Sequence, residues 1–355
     1  MNKETIVKQI KAHPKLYYIL KCVRGINNKD FVRDVNRMNE CGLILNFQDN
    51  GNLYPDKNIY YIENNSNVRG FFSLFFLAVD ALSIADRYVL TPVIRFGERT
   101  LYYQGTEING SMNPFEYYFE QVSEVGVDEI EKCTRVLYYK DGHRNSDFNV
   151  PFFVASQLVS GDNGKTDYIT ESARIYKKYF RYKPEVGKYL SANRDKVIGN
   201  KRVLGVHVRG TDFNNGYLNH AKAVTLEQYI QETEKAFIAG KFEKIFLATD
   251  EEKAINAFKA KFGQDVIWYN DVLRSTTGEA LHFSTNAREN HKYLLGLEVL
   301  RDAATLAACD GLVAGLSNVS LAVRVMKCGN DESFEYLRII ENGFNTTGKR
   351  LKQKK

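Results

Sequence analysis

The stretch Arg202-Val-Leu-Gly-Val-His-Val-Arg209 decides the fold class. A near-continuous apolar run that closes on a polar end reads as a strand buried on both faces, the kind that parallel sheets use. Three more such runs follow: Lys244-Ile-Phe-Leu-Ala-Thr-Asp250, Asp265-Val-Ile-Trp-Tyr269 and Gly311-Leu-Val-Ala-Gly315. Between and after them the spacing predicts helices over Thr225–Ala239, Glu251–Phe262, Asn290–Ala308 and Val319–Lys327. The first has Thr225 as a cap and Gly240 as a stop. Four alternating strand–helix pairs predict a doubly wound, Rossmann-like α/β domain over about 196–330. Ligands of such sheets sit beyond the carboxyl ends of the strands. That rule selects three places: His207 to Asp212, Ala248 to Glu251, and Gly315 to Asn318.

Upstream the pattern is less regular. Thr5–Lys11, Lys15–Arg24 and Lys29–Asn39 read as charged helices. Ile59–Ile62 reads as a strand, Phe71–Tyr88 as a buried helix and Thr91–Arg95 as a second strand, which together make a βαβ unit. Residues 96–165 are rich in Gly, Asn and Tyr, as acceptor-binding loops often are, and a helical stretch over Asp167–Asn193 follows. The expected organisation is an acceptor-side α/β domain with a helical N-terminus (1–195), a nucleotide-sugar domain (196–330) and a C-terminal extension with a basic tail (331–355).

The totals narrow the function classes. A chain of 355 residues with 44% hydrophobic and 26% charged residues is a folded protein long enough for two domains. Aromatic residues reach 13%, which suits either core packing or the stacking of sugar faces. Of the net charge of +6, five charges sit in the tail Gly348–Lys355, so the body is nearly neutral. This argues against a nucleic-acid reader, which would spread basic residues over its body. The tail itself suits either a solvated end or peripheral contact with an anionic membrane. Five scattered cysteines without a CxxC pair support neither structural zinc nor a disulfide framework. With no signal-peptide pattern at Met1–Ile10 and no run of 18 apolar residues, a cytoplasmic protein is expected.

The three strand ends carry residue types suited to a diphosphate leaving group. Arg209 can hold two phosphate oxygens at once, with Asp212 locking the loop and His207 bracing the turn or touching the ligand. Asp250 suits two jobs: accepting the paired donors of a guanine (or a ribose), or capping a helix. Ser317 and Asn318 precede the last helix, where an anion site or a plain N-cap is expected. Neither GxGxxG nor GxxxxGK[ST] occurs, which disfavours a dinucleotide enzyme or a P-loop NTPase.

Together, His207-x-Arg-x-x-Asp212, Ala248-Thr-Asp250 and the Ser317 turn resemble the pattern of the α1,6-fucosyltransferases, the nodulation type included, within the wider GDP-fucosyltransferase superfamily. The likeness covers about 200–330, with a weaker echo from Val68 to Phe76. It implies a GT-B architecture, two Rossmann-like domains facing a central cleft with the C-terminal one binding the donor. It further implies GDP-fucose as donor, inversion at the sugar carbon, no cofactor and no required metal. A glycan hydroxyl would be the acceptor, as in bacterial polysaccharide biosynthesis. In that family the arginine matching Arg209 contacts the donor phosphates and the region matching Asp250 reads the nucleoside. Two departures stand out: the family's second adjacent arginine is Gly210 here, and 213–218 lack its carboxylate. The catalytic base is left among Asp212, Glu279 and His220. A different nucleotide-sugar donor on the same fold, or a silent glycan-binding protein, are the alternatives.

Overall fold

The computed structural model describes residues 47–139, 163–210, 220–275 and 288–348, together with Leu20 and Val23. The N-terminal helices expected over 5–39 and most of the basic tail lie outside the described residues. Contacts divide the described chain into two units: residues 47–64, 80–95 and 121–139 form the first, and 65–79, 96–120, 163–210, 220–275 and 288–348 the second. The second unit therefore takes in two segments from the first half of the sequence.

In the first unit, strands β1 (Phe47–Gln48), β2 (Ile59–Asn64), β3 (Thr91–Phe96) and β4 (Val136–Tyr138) form a sheet in the order β1-β4-β2-β3. β4 runs parallel to β2, with Ile59 opposite Val136, and β1 closes the edge antiparallel to β4. Helix α1 (Phe71–Tyr88) connects β2 to β3 over the span read from sequence. Ile59, Tyr61, Val93, Val125, Ile130, Cys133 and Val136 pack into one buried cluster.

In the second unit, helices α2 (Asn163–Tyr179) and α3 (Pro184–Ile198) replace the single helix expected over 167–193. The break falls at Pro184, the first residue of α3, where its missing N–H costs nothing. The sheet follows: β5 (Val203–Val208), α4 (Leu226–Ala239), β6 (Lys244–Thr249), α5 (Glu252–Phe262), β7 (Val266–Ile267), α6 (His291–Ala308), β8 (Gly311–Gly315), α7 (Asn318–Gly329) and β9 (Tyr336–Ile340). Its strand order is β7-β6-β5-β8-β9, and every neighbouring pair is parallel. Counted along the chain from β5, this is the order 3-2-1-4-5, in which the direction of winding reverses between β5 and β8. β9 carries the sheet past residue 330, where the sequence reading ended it. Its alternation is masked by charge: Tyr336, Leu337 and Arg338 are at least partly exposed, and only Ile339 and Ile340 are buried.

All six residues of β5 are buried, as expected for a central strand. Leu204, Val206 and Val208 join Tyr229 and Ala236 of α4, Ile245 and Leu247 of β6, Phe258 of α5 and Val313 of β8 in one core cluster. Each such side chain contributes roughly 1.5–3 kcal/mol by leaving water. On the opposite face Gly205 lets α6 approach: a Cβ there would lie 3.0 Å from a methyl of Leu306 and 3.3 Å from Cys309.

The tyrosines of 96–120, read as suited to loops that bind an acceptor, are largely core residues of the second unit. Tyr102, Tyr117 and Tyr118 are buried. Phe71 meets the rings of Tyr102 and Tyr118 edge-on, and its N–H donates to the Tyr102 hydroxyl at 2.7 Å. Tyr118 stacks on Tyr293 at 5.4 Å and donates to its carbonyl at 2.8 Å. No helix among the described residues is long and apolar enough to cross a membrane.

Candidate functional site

The parallel register brings the three sequence-selected strand ends to one level. His207 of β5 lies opposite Ala248 of β6 on one side and Ala314 of β8 on the other. The β5–β8 boundary is the point where the strand order reverses, which is where open α/β sheets place their ligands. Arg209 leaves β5 on one side of that boundary, and Leu316 and Ser317 leave β8 on the other.

His207 is 8% exposed, and its Nδ1 is buried without a hydrogen-bond partner among the described residues. Burial, reinforced by the positive charge of Arg209, pushes its pKa down to about 3, so the ring is neutral at physiological pH. A neutral imidazole with an orphaned nitrogen at a strand end is a group that a ligand would satisfy.

Arg209 is half-buried. Near it is Tyr229, which projects from α4 and is 2% exposed. The Tyr229 hydroxyl lies against Gly315 at the end of β8 and near Arg209 at the end of β5, beside the reversal. Burial pushes this phenol up to about 12, so it stays protonated. Gly315 is required for the arrangement, because a Cβ there would lie 2.4 Å from the Tyr229 oxygen.

Asp250 does not cap the helix after β6. Helix α5 starts one residue later, with Glu251 as its N-cap and no side-chain capping bond. The Asp250 carboxylate instead accepts from the Gly210 N–H at 3.3 Å, joining the ends of β5 and β6. The following segment is pinned beside it: the Ser275 N–H donates to the Asp250 carbonyl at 2.8 Å, and the Glu252 N–H to the Ser275 carbonyl at 3.2 Å. Residues 276–287, which include Glu279, lie outside the described residues, as does Asp212 within 211–219. The described chain enters each segment from this site, at Ser275 and at Gly210. His220 is half-buried, and its carbonyl accepts from the Asn345 N–H at 2.9 Å.

Ser317 is the N-cap of α7. Its hydroxyl accepts from the Ser320 N–H at 3.1 Å, and the Ser320 hydroxyl donates to the Gly315 carbonyl at 2.7 Å. At 2% exposure the Ser317 side chain is committed to the cap. What this end of β8 offers an anion is the positive pole of a 12-residue helix that Asn318 opens. Among the described residues no group of three or more His, Cys, Asp or Glu is placed to hold a metal ion.

Behind the site, Arg301 of α6 is almost fully buried and makes two bonds to Asp271, at 2.6 and 2.9 Å. Its guanidinium lies 3.9 Å from the centre of the Tyr269 ring and donates to the Tyr189 hydroxyl at 2.6 Å. The 271–275 segment is thus anchored at one end by Arg301 and at the other by Asp250. Burial pushes the neighbouring Asp302 carboxyl up to about 7, although Arg301 and Arg274 pull the other way. Sequence reading placed Gly210 and Glu251 in the selected stretches but not against each other, and it missed Tyr229, which sits on an apolar helix stripe where a tyrosine looks like core.

The fold and the strand ends define a parallel α/β domain of Rossmann order with a polar constellation at its switch point. No protein-family model and no curated protein matches the chain. Among solved structures, the chain is similar to NodZ α-1,6-fucosyltransferase soaked with GDP-fucose, with a TM-score of 0.44 and 16% identity, over 76% of this chain and 92% of that one. It is similar to fucosyltransferase NodZ from Bradyrhizobium with a TM-score of 0.42 and 15% identity, over 76% and 92%. For POFUT1 in complex with GDP-fucose the TM-score is 0.43 and the identity 13%, over 80% and 98%.

Proposed function

We propose that this protein is an inverting glycosyltransferase that moves fucose from GDP-fucose to a hydroxyl of a glycan, with no required metal. The observation that carries the reading is the convergence of Arg209, His207, Asp250 and the α7 N-terminus on the switch point of one parallel sheet. In this reading the second unit binds the donor. As the bond between the sugar carbon and the β-phosphate oxygen breaks, its electron pair stays with GDP. Arg209 and the positive pole of α7 stabilise that charge. The orphaned nitrogen of His207 meets a polar atom of the donor, and the Asp250 end of β6 faces the nucleoside. The acceptor oxygen attacks the sugar carbon from the opposite side and gives its proton to a base, for which Asp212, Glu279 and His220 are the candidates. Synthesis of a bacterial surface glycan is the setting that fits this chemistry, with the basic charge of the tail suited to contact with an anionic membrane.

Thermal-shift titration with GDP, GDP-fucose and UDP in the presence of a chelator tests the proposal. A ligand at a hundredfold excess over its Kd stabilises the native state by about 2.7 kcal/mol. Stabilisation by GDP and GDP-fucose but not UDP is expected. Stabilisation by UDP alone would move the donor to another nucleotide sugar, and no response to any nucleotide would overturn the reading.

A further inference from the structure

We propose that Glu251 is a positioning residue that aims Arg209 by packing its carboxylate onto Gly210. The proposal deepens the donor-site reading above and rests on it. Gly210 adopts no left-handed backbone, so its lack of a side chain needs another cause. That cause is Glu251. A Cβ on residue 210 would lie 2.0 Å from the Cδ and from Oε2 of Glu251, and 2.6 Å from its Cγ. These are overlaps that no small adjustment of the glycine relieves.

Nor is Glu251 at liberty to swing away. It is 3% exposed. Its Oε1 lies 3.1 Å from the Lys253 ammonium, and its N–H donates to the Thr249 hydroxyl at 3.2 Å. The backbone of Glu251 bridges in parallel to Ser275, which Asp250 also holds. Rotating the carboxylate out of this position would strip a buried charge of its ion pair with Lys253.

The consequence is a grip on the turn from two sides. Asp250 accepts the Gly210 N–H, while the adjacent Glu251 lies against the face of Gly210 that a side chain would occupy. The preceding residue, Arg209, lies near the Tyr229 hydroxyl. The chain is therefore held at Gly210, directly after Arg209, which limits the directions in which the guanidinium can leave the turn. A second arginine at 210, as in the family pattern, has no room beside Glu251. Gly210 and Glu251 form a matched pair that leaves this turn with a single cation.

A four-corner cycle of wild type, Gly210→Ala, Glu251→Ala and the double variant tests the pair, with Glu251→Gln as the control that keeps the shape. GDP affinity is read by calorimetry and KM and kcat for GDP-fucose by turnover. The rate at which phenylglyoxal modifies Arg209, read by mass spectrometry, follows the arginine without any nucleotide. Gly210→Ala is expected to weaken GDP about tenfold or more, because a displacement of about 1 Å at a charged contact is costly. It is also expected to change the phenylglyoxal rate at least about threefold. Glu251→Gln should stay within about threefold of wild type in both, and the double variant should return to the level of Glu251→Ala, since the clash is gone. A folded Gly210→Ala protein with unchanged phenylglyoxal rate and GDP affinity would overturn the proposal, as would a double variant showing the summed losses. If wild type binds no GDP, the donor reading falls, while non-additive phenylglyoxal rates still decide whether Glu251 aims Arg209.

Discussion

Replacing His207 by Gln should flatten the acid limb of the stability profile, by an amount the structure sets. The unfolded imidazole titrates near 6.5 and the folded one near 3. Between those values the unfolded chain binds a proton that the native protein refuses, so stability is lost as pH falls through the window. At pH 4.5 the unfolded side chain is two units below its pKa while the folded ring is still neutral, which costs about 2.7 kcal/mol relative to pH 7.5. Every other titrating group is common to wild type and His207→Gln, so the difference between their stabilities isolates this one. Urea denaturation is the assay, followed by the fluorescence of Trp268, the sole tryptophan, which packs against the core of the second unit. The gap between the two proteins should shift by about 2.7 kcal/mol in favour of the variant between pH 7.5 and 4.5. Parallel losses over that range would mean that His207 is solvated or already paired, and would remove the orphaned nitrogen from the site.

Arg209→Gln should leave the melting temperature near wild type but weaken GDP by about 10- to 150-fold, the worth of a charge-assisted contact of about 1.5–3 kcal/mol; unchanged calorimetric affinity would refute the phosphate role. Gly296→Ala should destabilise the second unit by about 1–3 kcal/mol through overpacking, because its Cβ would lie 2.1 Å from the Tyr118 hydroxyl oxygen; a wild-type urea midpoint would refute that packing. Asp302→Asn works opposite to His207→Gln in pH. The folded carboxyl titrates near 7, above its ordinary value of 3.8, so wild type loses stability as pH rises from about 4 to 7. The variant should gain on wild type over that range, and a pH-independent difference in midpoint would show that Asp302 is ionised throughout.

Much of the second unit was legible because burial on both faces leaves a plain mark on composition. A central parallel strand such as β5 has no solvent side and reads as an apolar run, and the helix between two such strands is marked by Thr225 and Gly240 at its ends. The same logic explains the misses. β9 is an edge strand with one shielded end, and its Leu337 and Arg338 look outward, so its pattern was not that of a buried run. That 65–79 and 96–120 group with the second unit is hidden in the sequence for a different reason. The residues that carry 65–79 and 96–120 into the second unit are aromatic, and aromatic rings announce burial without saying against what.

The site divides along a similar line. Where a strand ends is a local property, so Arg209, Asp250 and Ser317 were found by following strands to their carboxyl ends. What holds those residues is not local: Tyr229 meets Arg209 and Gly315 from a helix, and Glu251 meets Gly210 from the neighbouring strand. Two readings left open by the sequence are narrowed accordingly. Of anion site or cap, the Ser317 hydroxyl takes the cap. Of nucleoside reader or cap, Asp250 is not the cap, and its carboxylate accepts the Gly210 amide. A departure from a family pattern, such as glycine in place of arginine at 210, then has a physical reason only when its partner is known. The carboxylate of Glu251 fills the volume that a side chain at 210 would need, so on the proposed donor-site reading one guanidinium and a helix pole meet the phosphate charge. If that is how the charge on a departing diphosphate is met, donor binding here should depend more steeply on Arg209 alone than in a site with two cations at the turn.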